Sequence, residues 1–450
     1  TDFNMQEKKA PSDGVITGYG VINGNLVYVY SQDAAVLGGT IGEMHAKKIA
    51  NLYEKAMKMG APVIGLIDCA GLRLQEATDA LDGFGQIYKN MSLASGIVPQ
   101  ITAVYGECGG GLAVLAELSD FVFVEEKKAK LFVNSPNALD GNYESKLDTS
   151  SAEFMAKAGV ADFIGDEETI ANGVRQLVSM LPSNNEEGAV YTDNQDDLNR
   201  VCADMSAEIA DAALALTDIS DDGLFVEVKA EYAKEMVTGF IQLDGVTVGA
   251  VANRTAIYDE NGEKAEEFAA VLTTDGAYKA AEFVTFCNAF EIPVLSLTNV
   301  KGFEANVRAE KTIAKAAAKL VYAFSNADVP KVNVITGEAY GSAYVAMNSK
   351  SVGADMVYAW SQASIGMMDA SLAAKIMYAD EIAAADDVTA KINEKASEYA
   401  ALQSSVEQAA ARGYVDTIIN PEDTRKYIIA AFEMLFDKRE VRADKKHGTV

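Results

Sequence analysis

The chain has 450 residues, 49% hydrophobic and 23% charged, with 66 acidic against 38 basic side chains and a formal net charge of -28. This length suffices for two or more hydrophobic cores, and the acidic excess argues against a nucleic-acid partner, because no basic field is available to release counterions from phosphates. The apolar runs fall far short of the roughly 20 residues that span a membrane, and the N-terminus lacks a signal-peptide pattern. We therefore expect a soluble, cytoplasmic protein.

Cysteine and histidine are too sparse for most metal sites. The four cysteines are widely spaced and form no CxxC pair, so neither a disulfide framework nor a zinc site is predicted. The two histidines are His45 and His447. A lone histidine beside Lys47 and Lys48 on a predicted helix indicates a partly exposed structural residue. We expect no metal, and any catalysis must use groups other than imidazole.

The predicted elements of the first half begin with a β-hairpin. Residues 15–31 alternate apolar and polar side chains around Asn23-Gly24, a dipeptide typical of hairpin turns. An amphipathic helix follows, and then a short apolar strand that is entered through Pro62. The next unit is a strand, a glycine turn at residues 109–111 and a helix of small residues.

The second half repeats this order. A hairpin pattern at residues 236–252, a helix and strand ending at residue 303, and a glycine turn at residues 341–342 correspond to the three units of the first half. Pro293 follows Pro62 by 231 residues (293 − 62), and Gly337 follows Gly106 by the same shift (337 − 106). A constant shift across separate motifs indicates an internal repeat.

Each half thus predicts a hairpin followed by strand and helix units, which is typical of an α/β fold. An acidic, loop-rich segment at residues 183–197 leads into the middle of the chain, and residues 369–413 form an alanine-rich helical region. We predict an N-terminal domain over residues 1–220 and a C-terminal domain over residues 221–450.

The glycine turns are the candidate functional features. Glycine lets a ligand approach the backbone, and the first amides of a helix are unpaired and lie at its positive end. A second amide could converge on each turn from the preceding unit, at Ala70-Gly71 or Gly302-Phe303. Two converging amides form an oxyanion hole, which stabilises an enolate without an acid or base side chain. Close helix–strand packing and phosphate binding are the alternatives, although neither common nucleotide-binding glycine motif is present.

Longer motifs resemble a known family. They are SQDAAVLGGTIGEMHAKKI, GAPVIGLIDCAGLRLQEA, GECGGG, LPSNNEE, AKLVYAF and VPKVNVITGEAYGSAYVAMNSKSVGADMVYAW. Over residues 13–425 they resemble the biotin-dependent acyl-CoA carboxyltransferases, the family of the carboxyltransferase subunits of propionyl-CoA carboxylase and methylmalonyl-CoA decarboxylase. The resemblance implies two tandem crotonase-like (ClpP/crotonase) β-β-α superhelix domains, in agreement with the repeat. Members of that family carry a further N-terminal segment, so we expect this chain to be trimmed.

The resemblance also implies site residues. Amides at Gly110 and Gly111 would hold the enolate of an acyl-CoA, and amides at Ser342 and Ala343 would hold the ureido oxygen of biotin. The remaining matched positions are Ala70, Gly71, Arg73 and Val345 on the acyl-CoA side, and Gly302, Phe303 and Gly341 on the biotin side. The candidates for binding the CoA phosphates are Lys47, Lys55, Lys58 and Arg73, although a solvated helix face is the favoured interpretation of the three lysines.

The implied reaction moves a carboxyl group between N1 of biotin and the α-carbon of a short acyl-CoA. The apolar Val345 favours propionyl-CoA or methylmalonyl-CoA, and the direction stays open. The implied partners are a biotinyl carrier protein or domain and either a biotin carboxylase or a membrane decarboxylase subunit. A homo-oligomer is also implied, either a dimer or a trimer of dimers, which a partner complex could hold at the membrane surface.

Three positions depart from the family pattern. Glu107 and Lys301 stand where the family has proline, and Ser342 stands where it has a second glycine. Glu107 is interpreted as a solvated or paired residue at a strand end, although it could repel a substrate carboxylate or act as a base. Two other functions stay open: a biotin-independent crotonase-type hydratase, isomerase or decarboxylase, and a non-catalytic CoA-binding scaffold.

Overall fold

The computed structural model describes Met5, residues 10–440 and residues 448–449. His447 lies outside the described residues. Two compact units are present. The first comprises Thr1–Val190, Val228–Tyr232 and Ala289–Glu291, and the second comprises Tyr191–Glu227, Ala233–Asn288 and Ile292–Val450. The domain boundary at residue 220 stays a prediction, although residues 191–227 pack within the second unit.

The described part of the first unit contains one seven-stranded sheet. Its strands are β1 (Val15–Ile22), β2 (Asn25–Gln32), β3 (Val63–Cys69), β4 (Gln100–Gly109), β5 (Phe121–Glu125), β6 (Lys130–Phe132) and β7 (Phe163–Gly165). The strand order is β1-β2-β3-β4-β5-β7, with β6 beside β4, and only the β1–β2 pair is antiparallel. Asn23 and Gly24 both have positive φ, as a two-residue type I′ turn requires, which confirms the first hairpin.

Helices cover this sheet. They are α1 (Glu43–Met59), α2 (Ala77–Ala94), α3 (Gly111–Glu117), α4 (Asn142–Ser145), α5 (Ala152–Lys157) and α6 (Glu167–Met180). The core face of α1 buries Ala46, Ile49, Tyr53 and Ala56, because residues three and four apart share one side of a helix.

The second unit contains an eight-stranded sheet and a two-stranded sheet within the described residues. The strands are β8 (Phe225–Val228), β9 (Met236–Leu243), β10 (Val246–Asn253), β11 (Ala256–Tyr258), β12 (Lys264–Glu267), β13 (Val294–Val300), β14 (Lys331–Tyr340), β15 (Met356–Trp360), β16 (Ser364–Gly366) and β17 (Thr417–Ile419). The large sheet has the order β17-β15-β14-β13-β10-β9-β8, with β16 beside β14, and β11 pairs with β12. Asp244 and Gly245 form the second predicted hairpin turn, again with positive φ at both residues.

The helices of the second unit include the predicted alanine-rich region. They are α7 (Met205–Glu208), α8 (Ala212–Ile219), α9 (Thr274–Ala289), α10 (Val307–Glu310), α11 (Ile313–Asn326), α12 (Gly341–Ala346), α13 (Ala370–Met377), α14 (Ala379–Ala383), α15 (Val388–Tyr399), α16 (Val406–Ala411) and α17 (Thr424–Leu435). A π-helical turn at Ala400–Ser404 lies between α15 and α16. Among the described helices, none combines the length and apolar character needed to cross a membrane.

The two large sheets share one topology, which confirms the internal repeat. In the first, β2, β3, β4, β5 and β7 are neighbours in that order, and β10, β13, β14, β15 and β17 follow the same order in the second. The register of the central strand pair also shifts at the same place, around Asp68 between β3 and β4 and around Asn299 between β13 and β14. Because the shift falls where these strands end, it lies beside each glycine turn.

Candidate active site

The first glycine turn connects β4 to α3. Gly110 has φ 65° and ψ −126°, a conformation that side chains disfavour, although a Cβ there would have open space. Gly111 is constrained by space instead, because a Cβ would lie 2.8 Å from Tyr88 Oη and 2.9 Å from Phe84 Cε1. The turn therefore requires glycine at both positions, at Gly110 because of the backbone conformation and at Gly111 because of the lack of space.

The amides of this turn are not equivalent. The N–H of Gly110 donates to the carbonyl of Phe132 at 2.8 Å, so this predicted oxyanion donor is already committed. The N–H of Gly111 belongs to the first turn of α3 and has no acceptor within that helix. Gly111 is therefore the available donor at the first turn.

The loop after β3 provides a second amide. The N–H of Ala70 donates to the carbonyl of Gly38 at 3.0 Å, whereas the N–H of Gly71 contacts, among the described residues, only the thiol sulfur of Cys69 at 3.4 Å. A thiol is a weak acceptor, so the Gly71 amide remains available to a stronger one.

Gly71 and Gly111 border the same cavity, whose volume is about 630 Å³. Apolar and aromatic side chains from α2 and from the segment around the end of β6 form much of its lining: Leu81, Phe84, Tyr88, Phe132 and Val133. The Tyr88 hydroxyl donates to the carbonyl of Gly111 at 2.5 Å, and Glu107 is exposed at the cavity. Amide donors in an apolar cavity can stabilise a negative oxygen more strongly than water-exposed donors can.

The second glycine turn connects β14 to α12. Gly341 has φ 62°, and the amides of Ser342 and Ala343 lie in the first turn of α12, without acceptors inside that helix. In the loop after β13, the carbonyl of Gly302 accepts from Leu272, but its N–H has no acceptor in the described part of the chain. Val345 is 36% exposed one turn further along.

Phe303 lies in the same place as its counterpart in the first unit. It forms an isolated parallel bridge with Leu272, as Leu72 does with Ile41. Subtracting the repeat shift of 231 from residues 272 and 303 gives residues 41 and 72. Both units therefore hold the second amide-bearing loop by an equivalent backbone contact.

Asp68 and Asn299 are two further candidate residues beside the glycine turns, and neither was predicted from the sequence. The Glu107 N–H donates to Asp68 Oδ1 at 3.3 Å, and the Glu338 N–H donates to Asn299 Oδ1 at 3.1 Å. Each side chain thereby links the end of one central strand to its neighbour. Their spacing of 231 residues (299 − 68) was the available signal.

Comparison with known proteins identifies the family. The model of the carboxyl transferase domain matches residues 1–450. This chain belongs to the carboxyl transferase domain family. The membership supports the predicted carboxyltransferase activity over the hydratase and scaffold alternatives.

Several relatives match this carboxyltransferase over its full length. Methylmalonyl-CoA decarboxylase subunit alpha of Propionigenium modestum is 39% identical, with 100% of this chain and 88% of the relative covered. The carboxyltransferase subunit of propionyl-CoA carboxylase from Haloferax mediterranei is 40% identical, with coverage of 100% and 87%. The solved structure of transcarboxylase 12S with hydrolysed methylmalonyl-coenzyme A is 36% identical, has a TM-score of 0.91, and covers 99% of this chain and 86% of its own. The match confirms the predicted crotonase-like fold.

Arg73 of the carboxyltransferase lies in a buried ion-pair network. Its guanidinium is 2.5 Å from Asp13 Oδ1 and 2.8 Å from Glu76 Oε1, and it donates to the carbonyl of Thr40 at 2.6 Å. Burial opposes ionisation of Asp13, but the hydrogen bonds from Arg73, together with the nearby His45, outweigh it and hold the pKa of Asp13 well below its usual range. The predicted contact of Arg73 with acyl-CoA stays a prediction, while its observed contacts are with protein groups.

The prediction that His45 is partly exposed was wrong, since its exposed fraction is 0%. Its Nε2 lies 3.2 Å from Gln32 Nε2, and its Nδ1 lies 3.7 Å from Asp13 Oδ1. His45 precedes the buried Ile49 by four residues and so shares the core face of α1. The neighbouring lysines therefore do not determine its exposure. Burial lowers the pKa of His45 against the opposing effect of Asp13.

Proposed function

We propose that this carboxyltransferase moves a carboxyl group between biotin on a separate carrier and the α-carbon of a short acyl-CoA, with propionyl-CoA and methylmalonyl-CoA favoured. The observation that carries the proposal is the pair of glycine turns with available amides at equivalent positions of two repeated units. The chain's relatives include a methylmalonyl-CoA decarboxylase subunit and a propionyl-CoA carboxylase subunit, which supports the choice of acyl group.

The first unit would bind the acyl-CoA. Amides of Gly71 and Gly111 would donate to the thioester oxygen as it becomes negative, which lowers the energy of the enolate without a charged side chain. The apolar cavity beside them would accept the short acyl chain and limit its contact with water. Gly110 would hold the turn in shape through its bond to Phe132.

The second unit would bind the ureido group of biotin. The amides of Gly302, Ser342 and Ala343 fit a carbonyl-type oxygen, because they have no backbone acceptor among the described residues and a Cβ on Gly302 would have no atom within 4 Å. Gly341 and Phe303 would shape this side of the site. When bound, biotin supplies or accepts the carboxyl group at its ureido nitrogen.

We further propose that the chain works as a cytoplasmic homo-oligomer with a biotinyl carrier protein and a biotin carboxylase or membrane decarboxylase subunit. A hexamer assembly is described for the transcarboxylase 12S relative. Light scattering of the purified chain tests the oligomer. A mass of two or six subunits is expected, whereas a stable, active monomer would contradict this proposal.

The activity is tested by following the loss of malonyl-, methylmalonyl- and glutaconyl-CoA with and without free biotin or a biotinylated carrier domain. Loss of methylmalonyl-CoA that depends on biotin is expected. Equal loss without biotin would point to the hydratase or decarboxylase alternative, and no loss of any of the three thioesters would reject the proposed reaction.

A further inference from the structure

One ion pair spans the second glycine turn. Lys301 Nζ lies 2.6 Å from Glu338 Oε2. Lys301 directly precedes Gly302, and Glu338 lies on β14 three residues before Gly341. The pair therefore joins the two segments whose amides are available at this turn.

The first unit has the carboxylate of this pair without the cation. Subtracting the repeat shift of 231 from residues 301 and 338 gives Ala70 and Glu107. Ala70 cannot carry a charge, and Glu107 forms no ion pair with any described residue. Of the two equivalent positions, only the one in the second unit carries a lysine.

The contribution of the ion pair to folding stability is too small to explain why a lysine occupies position 301. The side chains of Lys301 and Glu338 are 55% and 35% exposed, and exposed ion pairs contribute little to folding because water screens them. The negative charges around the second turn provide a stronger explanation for Lys301.

The charges of two carboxylates, Glu338 and Asp369, act on residues that flank the second turn. The hydrogen bond to Glu338 raises the pKa of Lys301 against the effect of burial, and the charge of Asp369 adds to the rise. Burial raises the pKa of Tyr340, and the charges of Glu338 and Asp369 raise it further. Without Lys301, both negative charges would oppose a negative oxygen held at the turn.

We propose that Lys301 is a positioning residue of the second glycine turn: it neutralises Glu338 and so allows the neighbouring amides to hold a ligand oxygen that carries negative charge. This inference rests on the proposed function, in which that ligand is the ureido group of biotin. Lys301 acts through Glu338 and not by contact with the ligand.

The test compares four variants at saturating free biotin: Lys301→Met, Glu338→Gln, the double variant and Lys301→Arg. Lys301→Met leaves Glu338 uncompensated, so we expect kcat to fall about tenfold or more. The double variant removes both charges, and its kcat should return to within about threefold of the wild type. Lys301→Arg should keep most of the activity, and the KM for methylmalonyl-CoA should stay unchanged throughout.

A matched control is Lys350→Met. Lys350 pairs with Asp416 at the same distance of 2.6 Å in the same unit, and both side chains are partly exposed, by 32% and 27%. The Lys350→Met substitution removes this ion pair and should leave kcat unchanged. Thermal melting of every variant separates a charge effect from unfolding.

Two results would overturn the inference: a Lys301→Met variant as active as the wild type, or a double variant as impaired as Lys301→Met. The second result would mean that Lys301 contacts the ligand itself. Turnover by the wild type without biotin is a different outcome, because it rejects the proposed function before any variant is compared.

Discussion

Gly111 serves the first turn through its amide and through its small size. The N–H is an available donor, and the missing side chain leaves room for Tyr88 and Phe84. Gly111→Pro removes the donor, and proline is tolerated in the first turn of a helix. We expect turnover to fall at least about a hundredfold, as for loss of one oxyanion donor.

Gly111→Ala is the control for crowding. Alanine introduces the same close Cβ but keeps the amide, so its activity measures the effect of space alone. Steady-state kinetics on both variants, with melting curves, separates the two roles. Equal activity of the proline and alanine variants would contradict donation by Gly111.

Arg73 stabilises the first unit by neutralising buried carboxylates. Arg73 and Glu76 are 3% and 1% exposed, and Asp13 is 10% exposed. Arg73→Met would leave Asp13 and Glu76 without their cation, so we expect a loss of about 3–5 kcal/mol in unfolding free energy, measured by urea denaturation. Lys47→Met, which breaks the exposed pair with Glu43, should change stability little. Equal effects of the two substitutions would contradict the assigned role.

At the scale of the strand, both units use an aspartate to hold the first amide of the central strand. Asp120 accepts from the Gln100 N–H at 2.8 Å, and Asp355 accepts from the Lys331 N–H at the same distance. Asp355 also pairs with Lys438 at 2.9 Å. Burial raises the pKa of Asp120 to about 7, and the charge of Asp162 contributes.

The ion pair of Asp355 and the raised pKa of Asp120 predict opposite effects of substituting the two aspartates at pH 8. The folded chain binds the Asp120 proton more tightly than the unfolded chain does, so this group's contribution to stability declines as pH rises from about 4 to about 7. Asp120→Asn keeps an acceptor for Gln100 and should raise the unfolding free energy at pH 8 by roughly 2 kcal/mol, with little gain at pH 4. Asp355→Asn should destabilise at pH 8 because it breaks an ion pair. Urea denaturation at both pH values checks this, and destabilisation by Asp120→Asn at pH 8 would contradict it.

The sequence predicted those elements that local patterns determine. Asn23-Gly24 and Asp244-Gly245 specify hairpin turns by their backbone preferences, and the shift of 231 residues predicted the repeated topology. The burial of His45 and the pairing of Lys301 with Glu338 were not predicted, because both depend on side chains that meet only after folding. The hydrogen bond from the Gly110 N–H to the carbonyl of Phe132 was not predicted either, because it depends on the position of β6 in the folded sheet.

At the scale of the whole molecule, the net charge of -28 opposes the approach of a phosphate-bearing substrate. The Debye length falls from about 30 Å at 0.01 M salt to about 8 Å at 0.15 M salt. We therefore expect kcat/KM for methylmalonyl-CoA to rise over this range. The pantetheine thioester, which lacks the phosphates, is the matched control and should respond less. A fall in kcat/KM for the CoA thioester would indicate that local basic contacts outweigh the overall field.

In the proposed reaction, one chain with two glycine turns transfers a carboxyl group between an acyl-CoA and biotin. The most direct measurement is mass spectrometry of a biotinylated carrier domain after incubation with this protein and methylmalonyl-CoA. We predict that the carrier gains the mass of one carbon dioxide, because a carboxyl group replaces the hydrogen on N1 of biotin, and that the gain requires the protein and the thioester together. Consumption of methylmalonyl-CoA while the intact carrier gains no mass at any time point would contradict the claim.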